Sequence, residues 1–243
     1  MSSPGGTRIA GAALATLGTA ALGAFAWGAL VERNRFTVRR ETIPVLDPAA
    51  RPITVLHLSD LHMAPWQTAK QDWVASLADY EPDLVVVTGD SLGHPRGLEG
   101  LERALAPFRG VAGVFVHGSN DYFSPTPKNP FSYFRDARSE TLNPPRLDTA
   151  KLEEFFESLG WLDLNNTARA IEVRGTRIEL FGTSDAHRGW DRLDKLSGAI
   201  ETVRENVEWS AGSGDGILSI GVTHAPYRRV LDDFVNQGAQ LML

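Results

Sequence analysis

ITVLHLSDLH, residues 53–62, is the stretch of sequence that decides the fold. Its first six residues form a short, mainly apolar run, which is typical of a parallel strand buried on both faces. The strand runs directly into an Asp-x-His triplet. Asp60 and His62 flank one residue at the mouth of this strand, so both can turn towards one cation with an oxygen and an imidazole nitrogen. The triplet alone also fits a turn aspartate beside a surface histidine.

The same arrangement repeats twice along the chain. Two further apolar runs end in TGD at 88–90 and in GSND at 118–121, each after a segment with helical spacing. Asp60, Asp90 and Asn120 therefore lie 30 residues apart, about the length of one strand-helix-strand unit. Open α/β sheets bind ligands at the carboxyl ends of their strands, and we expect these three side chains to meet at one such edge.

The second half of the chain predicts more strands and helices. Residues 123–145 contain five prolines and predict a long irregular loop. A hairpin is predicted across Arg174-Gly175-Thr176, and a long amphipathic helix over 193–207. A later strand, over 217–222, ends at Thr223-His224-Ala225-Pro226. His224 thus brings another imidazole to a strand end.

Together these strand ends predict a metal site. A carboxylate such as Asp90 can bridge two metal ions that lie roughly 3.5 to 4 Å apart. Asn120 offers an amide oxygen, and His224 an imidazole nitrogen, for a second ion. Taken singly, Asp90 also fits a helix N-cap, and the others ordinary loop residues.

Composition narrows the function classes. The chain has 243 residues, which is enough for one sizeable domain, and a net charge of -6, which argues against a nucleic-acid partner. It has no cysteine, which excludes disulfides, thiolate metal sites and a cysteine nucleophile. Histidines and carboxylates are left as metal ligands.

The N-terminal segment predicts a membrane location. Residues 9–31 run without a charge, and a bilayer core needs roughly 20 such residues in a helix. We therefore predict an anchor or signal segment over 1–31, a linker over 32–52 and one domain over 53–243. Arginines after the stretch favour a cytoplasmic domain, whereas cleavage near residues 24–26 would export it. A helix buried against the domain is the remaining alternative.

The four motifs carry a family resemblance. LSDLH at 58–62, VTGD at 87–90, GSND at 118–121 and THAP at 223–226 resemble, in order, those of calcineurin-like metallophosphoesterases. The resemblance covers Ile53 to the end. It is nearest to a bacterial branch with an N-terminal membrane or export segment, which includes phosphodiesterases and enzymes likened to UDP-diacylglucosamine pyrophosphohydrolases. It implies an α/β fold, an α/β/β/α sandwich, here with an N-terminal hydrophobic helix.

The resemblance also implies a mechanism. Asp60 and His62 would bind the first of two divalent metal ions (Mn, Fe or Zn), Asp90 would bridge, and Asn120 and His224 would bind the second. A hydroxide held between the ions would attack phosphorus in a phosphodiester or pyrophosphate bond. The substrate would be a phosphate ester, either a small molecule such as a nucleotide sugar or a lipid-linked compound.

One motif departs from the family pattern. The family has Gly-Asn-His-Asp where this chain has GSND, so without a gap Ser119 falls on the metal-binding asparagine and Asn120 on the histidine that protonates the leaving group. Either Asn120 shifts to bind the metal, or Ser119 takes that place and Asn120 hydrogen-bonds the phosphate. Ser119 and Asp121 are candidates for binding substrate. His117 and His187 are candidates for the missing general acid.

A second departure concerns the closing motif. The family ends with Gly-His-x-His after a strand, and this sequence stops at residue 243, within the strand that should precede it. We therefore expect a C-terminally truncated, incomplete sandwich. A second hypothesis is a non-catalytic, membrane-tethered binding domain with a degenerate metal site. A phospho-aspartate enzyme that uses Asp60 as nucleophile leaves His62 and His224 without a role.

Overall fold

The computed structural model describes residues 16–28, 31–125, 144–208 and 216–243, without the side chain of residue 33. The chain forms two compact units, Met1–Thr42 and Ile43–Leu243, which we describe separately. In the first unit, helix α1 covers 16–28 and a 3-10 helix covers Glu32–Asn34.

The predicted membrane location is wrong by this structure. Helix α1 as described rises about 20 Å at 1.5 Å per residue, against a hydrocarbon core of about 30 Å. Over the described ranges, the structure contains no helix with the length and apolar character that a membrane crossing needs. The predicted segment relied on Ala and Gly, which are free of charge but contribute little apolar area. Its other residues, 1–15 and 29–30, lie outside the described ranges.

In the residues that the structure describes, the second unit contains two four-stranded sheets. The first has the order β1-β2-β3-β4, and all its neighbours are parallel. The second has the order β5-β6-β7-β8, with only the β5-β6 pair antiparallel. The strands are β1 Val55–Leu58, β2 Leu84–Val87, β3 Ala112–Phe115, β4 Leu162–Asp163, β5 Thr167–Val173, β6 Thr176–Thr183, β7 Ile217–Thr223 and β8 Leu241–Met242.

Helices cover the outer face of each sheet. They are α2 Thr68–Ser76, α3 Gly97–Leu105, the short α4 Ser119–Tyr122, α5 Thr149–Ser158, α6 Leu193–Asn206 and α7 Arg228–Asn236, with 3-10 helices at Leu77–Tyr80, Ala106–Phe108 and Ala186–Arg188. Residues of α2, α3 and α5 share a buried apolar cluster with the first sheet. Residues of α6 and α7 share another with the second sheet. A third cluster lies between the sheets.

The sequence LVVV of β2 explains why the sandwich has four layers. Successive side chains of a strand point to opposite faces. Leu84 and Val86 accordingly lie in the cluster between the sheets, whereas Val85 and Val87 lie under the helices, and all four are fully buried. Each such side chain contributes roughly 1.5 to 3 kcal/mol by leaving water. The predicted α/β/β/α sandwich is confirmed.

The outer face of the second sheet shows how closely the helices approach. The ring of Phe234 in α7 lies directly on Gly221 of β7, where a Cβ atom would collide with it. Phe234 also meets Phe181 of β6 edge to face, with ring centroids 5.3 Å apart. A side chain at position 221 would therefore lift α7 away from the strand end that leads to His224.

Candidate metal centre

Three potential ligands converge where β1 and β2 end. The Nε2 atom of His62 lies 3.6 Å from Oδ1 of Asp60 and 3.7 Å from Oδ2 of Asp90. One ligand atom from each residue lies within 4.8 Å of the other two. Asp90 is buried, whereas Asp60 and His62 open to solvent. The site is therefore buried on the side of Asp90 and open to solvent on the side of Asp60 and His62.

The backbone around these three residues is strained. Asp60, His62 and Asp90 all adopt the left-handed region, with φ of 51°, 40° and 52°. Non-glycine residues there cost of order 1 to 3 kcal/mol each and persist only where the surroundings hold them. Backbone bonds between the two loops do so: the amide of Asp60 donates to Gly89 O and that of His62 to Asp90 O. Such strain concentrates at functional sites.

His224 reaches the same carboxylate from the second sheet. Its Nδ1 lies 2.7 Å from the carbonyl oxygen of Thr88, which can only accept, so Nδ1 must carry the proton. Its Nε2 lies 3.6 Å from Oδ1 of Asp90 and is the ring nitrogen left to bind a metal. Metal-binding histidines are commonly held in this way.

Asn120 contacts Asp90 through two donors. Its side-chain Nδ2 donates to Oδ2 of Asp90 at 2.6 Å, and its backbone amide donates to Oδ1 at 2.9 Å. As placed, the amide group donates to Asp90, so binding a metal through the oxygen would require the group to turn over. Gly118 makes the approach possible, because a Cβ there would collide with the Asp90 carboxylate. Ser119, which lies between Gly118 and Asn120 in the sequence, is the first residue of helix α4.

Asp121 lies beneath the site. It is fully buried, and its Oδ1 accepts the amides of Ser91 and Leu92 at 2.8 and 3.1 Å, while Oδ2 accepts the amide of Gly118 at 3.0 Å. Asp121 therefore ties the loop after β2 to the loop after β3. That Asp121 or Ser119 binds substrate stays a prediction.

The two histidines considered as general acids occupy different environments. His117 is fully buried between Asp121 and Glu153, at 3.7 and 3.3 Å. Burial lowers the pKa of His117, but the two carboxylates outweigh burial and raise it to about 9. His187 is exposed in the 3-10 helix that follows β6, with Nδ1 3.0 Å from the hydroxyl of Tyr227. Only His187 of the two faces solvent.

A pocket of about 420 Å³ was not predicted from the sequence. It is lined by residues from α4, the loop behind it and the strand ends of the second sheet, among them Tyr122, Phe123, Arg146, Asn166, Ser184 and Trp190. The proline-rich stretch 123–145 was the only sequence signal near it, and its residues 126–143 lie outside the described ranges. No sequence motif or pattern around Trp190 or Asn166 predicted that these residues would line a pocket.

The donor set fits a divalent cation. Two ligands about 2.1 Å from one ion, at angles of 90° to 110°, lie about 3 to 3.5 Å apart. The separations of 3.6 to 3.7 Å around His62, Asp90 and His224 are a few tenths of an ångström larger. They are too long for good hydrogen bonds, and carboxylate oxygen with imidazole nitrogen suits Mn²⁺, Fe²⁺ or Zn²⁺. Asp60, His62, Asp90 and His224 could therefore hold a metal.

Comparison with known proteins agrees with this chemistry. The sequence model of the family described as calcineurin-like phosphoesterase matches residues 53–237. The chain is 24% identical over 202 residues to the uncharacterized metallophosphoesterase YkoQ of Bacillus subtilis, covering 80% of this chain and 62% of that protein. The chain thus spans less than two thirds of the length of that relative.

Solved structures give weaker matches. The phosphopantetheinyl hydrolase of Mycobacterium tuberculosis is similar at 15% identity and a TM-score of 0.38, covering 77% of this chain and 75% of that one. A protein of unknown function from Aquifex aeolicus is similar at 15% identity and a TM-score of 0.27, covering 74% and 92%.

Proposed function

Because the chain belongs to the calcineurin-like phosphoesterase family, we propose that it is a metal-dependent hydrolase of phosphodiester or pyrophosphate bonds in a small phosphate ester, such as a nucleotide sugar. The observation that carries the proposal is the convergence of His62 and His224 on opposite oxygens of the buried Asp90 carboxylate. One carboxylate placed between two imidazoles is the arrangement that bridging of two ions requires.

In this proposal the residues divide between two ions. Asp60 and His62 would hold one, His224 would hold the other with Asn120 or Ser119, and Asp90 would contribute to both. Divalent cations bound there supply Lewis acidity and lower the pKa of a bound water to near neutrality. The chain itself needs no nucleophilic side chain, which agrees with the absence of cysteine.

The other polar groups orient the reactants. The hydrogen bond from His224 to Thr88 fixes which ring nitrogen faces Asp90. Asn120 sits where it can donate its amide to a phosphoryl oxygen if it does not bind metal. We assign proton donation to the leaving group to His187, because it is exposed after the end of β6, whereas His117 is fully buried.

The direct test combines metal binding with turnover. Calorimetric titration with Mn²⁺ should show two bound equivalents, and bis-p-nitrophenyl phosphate should then be hydrolysed. Asp90→Asn should lose at least one equivalent and reduce the rate at least 100-fold. Asp83→Asn is the matched control, since it removes a partly buried aspartate at the opposite end of β2, and should behave as the native chain. A chain that binds no divalent metal would contradict the proposal.

One observation favours a second function. The amide of Asn120 donates to Asp90, and in an alignment without a gap Asn120 stands where the family has a titratable histidine. A non-catalytic domain that binds metal and phosphate without hydrolysis would have this arrangement. If Mn²⁺ bound to the native chain and was lost in Asp90→Asn, but bis-p-nitrophenyl phosphate was not hydrolysed, that second function would be supported.

A further inference from the structure

The unpredicted pocket shares two structural elements with the metal centre. Tyr122 belongs to α4, the same four-residue helix that carries Asn120. Ser184 follows β6 directly, and β6 pairs with β7 so that Thr183 lies opposite Thr223, the residue before His224. Pocket and metal centre therefore open at the same edge of the sandwich and meet along α4.

Aromatic rings form the walls of the pocket. The ring of Trp190 lies 4.9 Å from that of Tyr122 at 77°, and 6.1 Å from that of Phe123 at 38°. Trp190 and Phe123 are both partly exposed. Such surfaces bind planar rings by stacking, and each stacked base contributes appreciably to affinity.

Two arginines lie against the Phe123 ring of this pocket: Arg146 is one of its lining residues, whereas Arg188 lies beside the lining. The guanidinium carbons of Arg146 and Arg188 each lie 5.7 Å from the centre of the Phe123 ring. Over the described ranges, no carboxylate forms an ion pair with either, although the chain as a whole carries a net charge of -6. Like charges gathered at one ring repel each other, and a phosphate with paired oxygens relieves this repulsion through bidentate bonds.

The pocket is held in shape by side-chain and backbone hydrogen bonds. Asn166, which adopts the left-handed region with φ of 55°, donates its amide to Ser184 Oγ and to the carbonyl of Trp190. Its own oxygen accepts the amide of Arg192. A backbone bridge between Phe123 and Arg146 fixes the opposite wall. Trp190 is thus fixed before a ligand binds, which lowers the entropic cost of binding.

We propose that this pocket binds the nucleoside diphosphate part of the substrate, with the base against Trp190 and one phosphate at Arg146, which lines the pocket, and at Arg188, which lies against the same Phe123 ring. The other phosphate then lies towards Asn120 and the metal centre. A volume of about 420 Å³ is within the usual range for small-molecule sites. This inference rests on the proposed function, because it takes the pocket to select the substrate of the same hydrolase.

Calorimetric titration of the whole chain with adenosine diphosphate, pyrophosphate and adenosine tests the pocket. The titrations are run in EDTA, so that the metal centre does not contribute. We expect adenosine diphosphate to bind at least 10-fold more tightly than either fragment. Arg146→Gln with Arg188→Gln should weaken adenosine diphosphate and pyrophosphate at least 10-fold. Arg103→Gln removes an exposed arginine of α3 as a matched control and should change nothing.

The aromatic wall is tested separately. Trp190→Ala should weaken adenosine diphosphate about 10-fold and leave pyrophosphate unchanged, whereas Trp190→Phe should retain most of the affinity and guards against a folding defect. Equal binding of adenosine diphosphate and pyrophosphate, or a double arginine variant that binds like the native chain, would overturn the inference. Asp90→Asn should leave binding in EDTA intact, so loss of turnover in that variant concerns the metal centre alone.

Discussion

At each end of the first sheet an aspartate side chain accepts backbone amides, but the two aspartates hold different kinds of segment together. At the carboxyl end, Asp121 is fully buried and accepts three backbone amides. At the amino end, Asp83 is 17% exposed and accepts one amide, that of Thr54, beside an exposed arginine, Arg174. Both aspartates join neighbouring segments, but only Asp121 joins loops that carry candidate ligands.

Left-handed residues show the same contrast. At the carboxyl end they are Asp60, His62 and Asp90, whose side chains face one another, and Asn166, which follows β4 and lines the pocket. At the amino end they are Glu81, which ends a 3-10 helix, and Arg174, in the hairpin turn between β5 and β6. Strain at the amino end is ordinary turn geometry, whereas strain at the carboxyl end is tied to side chains with chemistry. Substitutions and titrations at the two ends can test this contrast, and we give them from the largest expected effect to the smallest.

Removal of Asp121 should have the largest effect. Asp121→Ala leaves three buried amides without an acceptor, and each unsatisfied donor costs roughly 1 to 3 kcal/mol. We expect urea denaturation to show a free energy of unfolding lower by about 3 to 5 kcal/mol, and calorimetry to show weaker Mn²⁺ binding, because the loops after β2 and β3 come apart.

Asp83→Ala is the control for that variant. It removes one amide acceptor near solvent, so the free energy of unfolding should fall by about 1 kcal/mol. Mn²⁺ affinity should not change. If the two variants lost equal stability, or if Asp83→Ala also weakened Mn²⁺ binding, the distinction between the two ends of the sheet would fail.

Stability should depend on pH through His117. The pKa of this buried histidine is raised from its ordinary value to about 9, because Asp121 and Glu153 outweigh the effect of burial. A group with a raised pKa in the folded state stabilises fully below its unfolded pKa of about 6.5, and this contribution is lost as pH rises through 9. We expect about 3 kcal/mol of unfolding free energy to be lost between pH 6.5 and 9.

Titration of Glu153 should limit the contribution of the His117–Glu153 contact at acid pH. The contact with His117, at 3.3 Å, lowers the pKa of Glu153, so the contribution of Glu153 is present above the ordinary glutamate pKa and is lost as pH falls through its lowered value. Urea denaturation at a series of pH values measures both limbs. His117→Gln should flatten the alkaline limb; a slope unchanged by this substitution would assign it to other groups.

Metal binding should stabilise the carboxyl end by a slightly smaller amount. A ligand that binds only the folded state at 100 times its Kd raises the free energy of unfolding by about 2.7 kcal/mol. Melting with and without Mn²⁺ measures this gain. His62→Gln should remove most of it without altering the metal-free melting temperature, because His62 is partly exposed. A gain that survives this substitution would place the metal elsewhere.

The fold followed from local sequence more fully than the site did. The apolar run before TGD and the hairpin across Arg174-Gly175-Thr176 were predicted from neighbouring residues. The structure has a fully buried strand, β2, at the first and the β5-β6 hairpin at the second, with Thr176 already part of β6. The four motifs, in their order along the chain, predicted membership of the calcineurin-like phosphoesterase family, and the match of the family model over residues 53–237 confirms it. The N-terminal prediction failed because freedom from charge was taken as a measure of apolar area.

The pocket could not have been predicted in the same way. Its walls come from α4 and from the loop around Trp190, and they meet only through the packing of two sheets. Asn166 has no motif around it, and its role depends on a left-handed backbone and on partners 18 to 26 residues away. Long-range contacts of this kind leave no periodic pattern in a sequence.

Relief of the strain at the amino end should give the smallest effect. Glu81 follows the 3-10 helix Leu77–Tyr80 with φ of 49°, a position where helices often place glycine. Glu81→Gly removes a steric cost of roughly 1 to 2 kcal/mol, part of which is offset by the greater freedom of glycine in the unfolded chain. We expect a net gain of about 0.5 kcal/mol in urea denaturation with unchanged Mn²⁺ affinity. The same change at His62 relieves equivalent backbone strain but deletes a ligand, so opposite effects on Mn²⁺ binding would separate strain that serves a turn from strain that serves the metal centre.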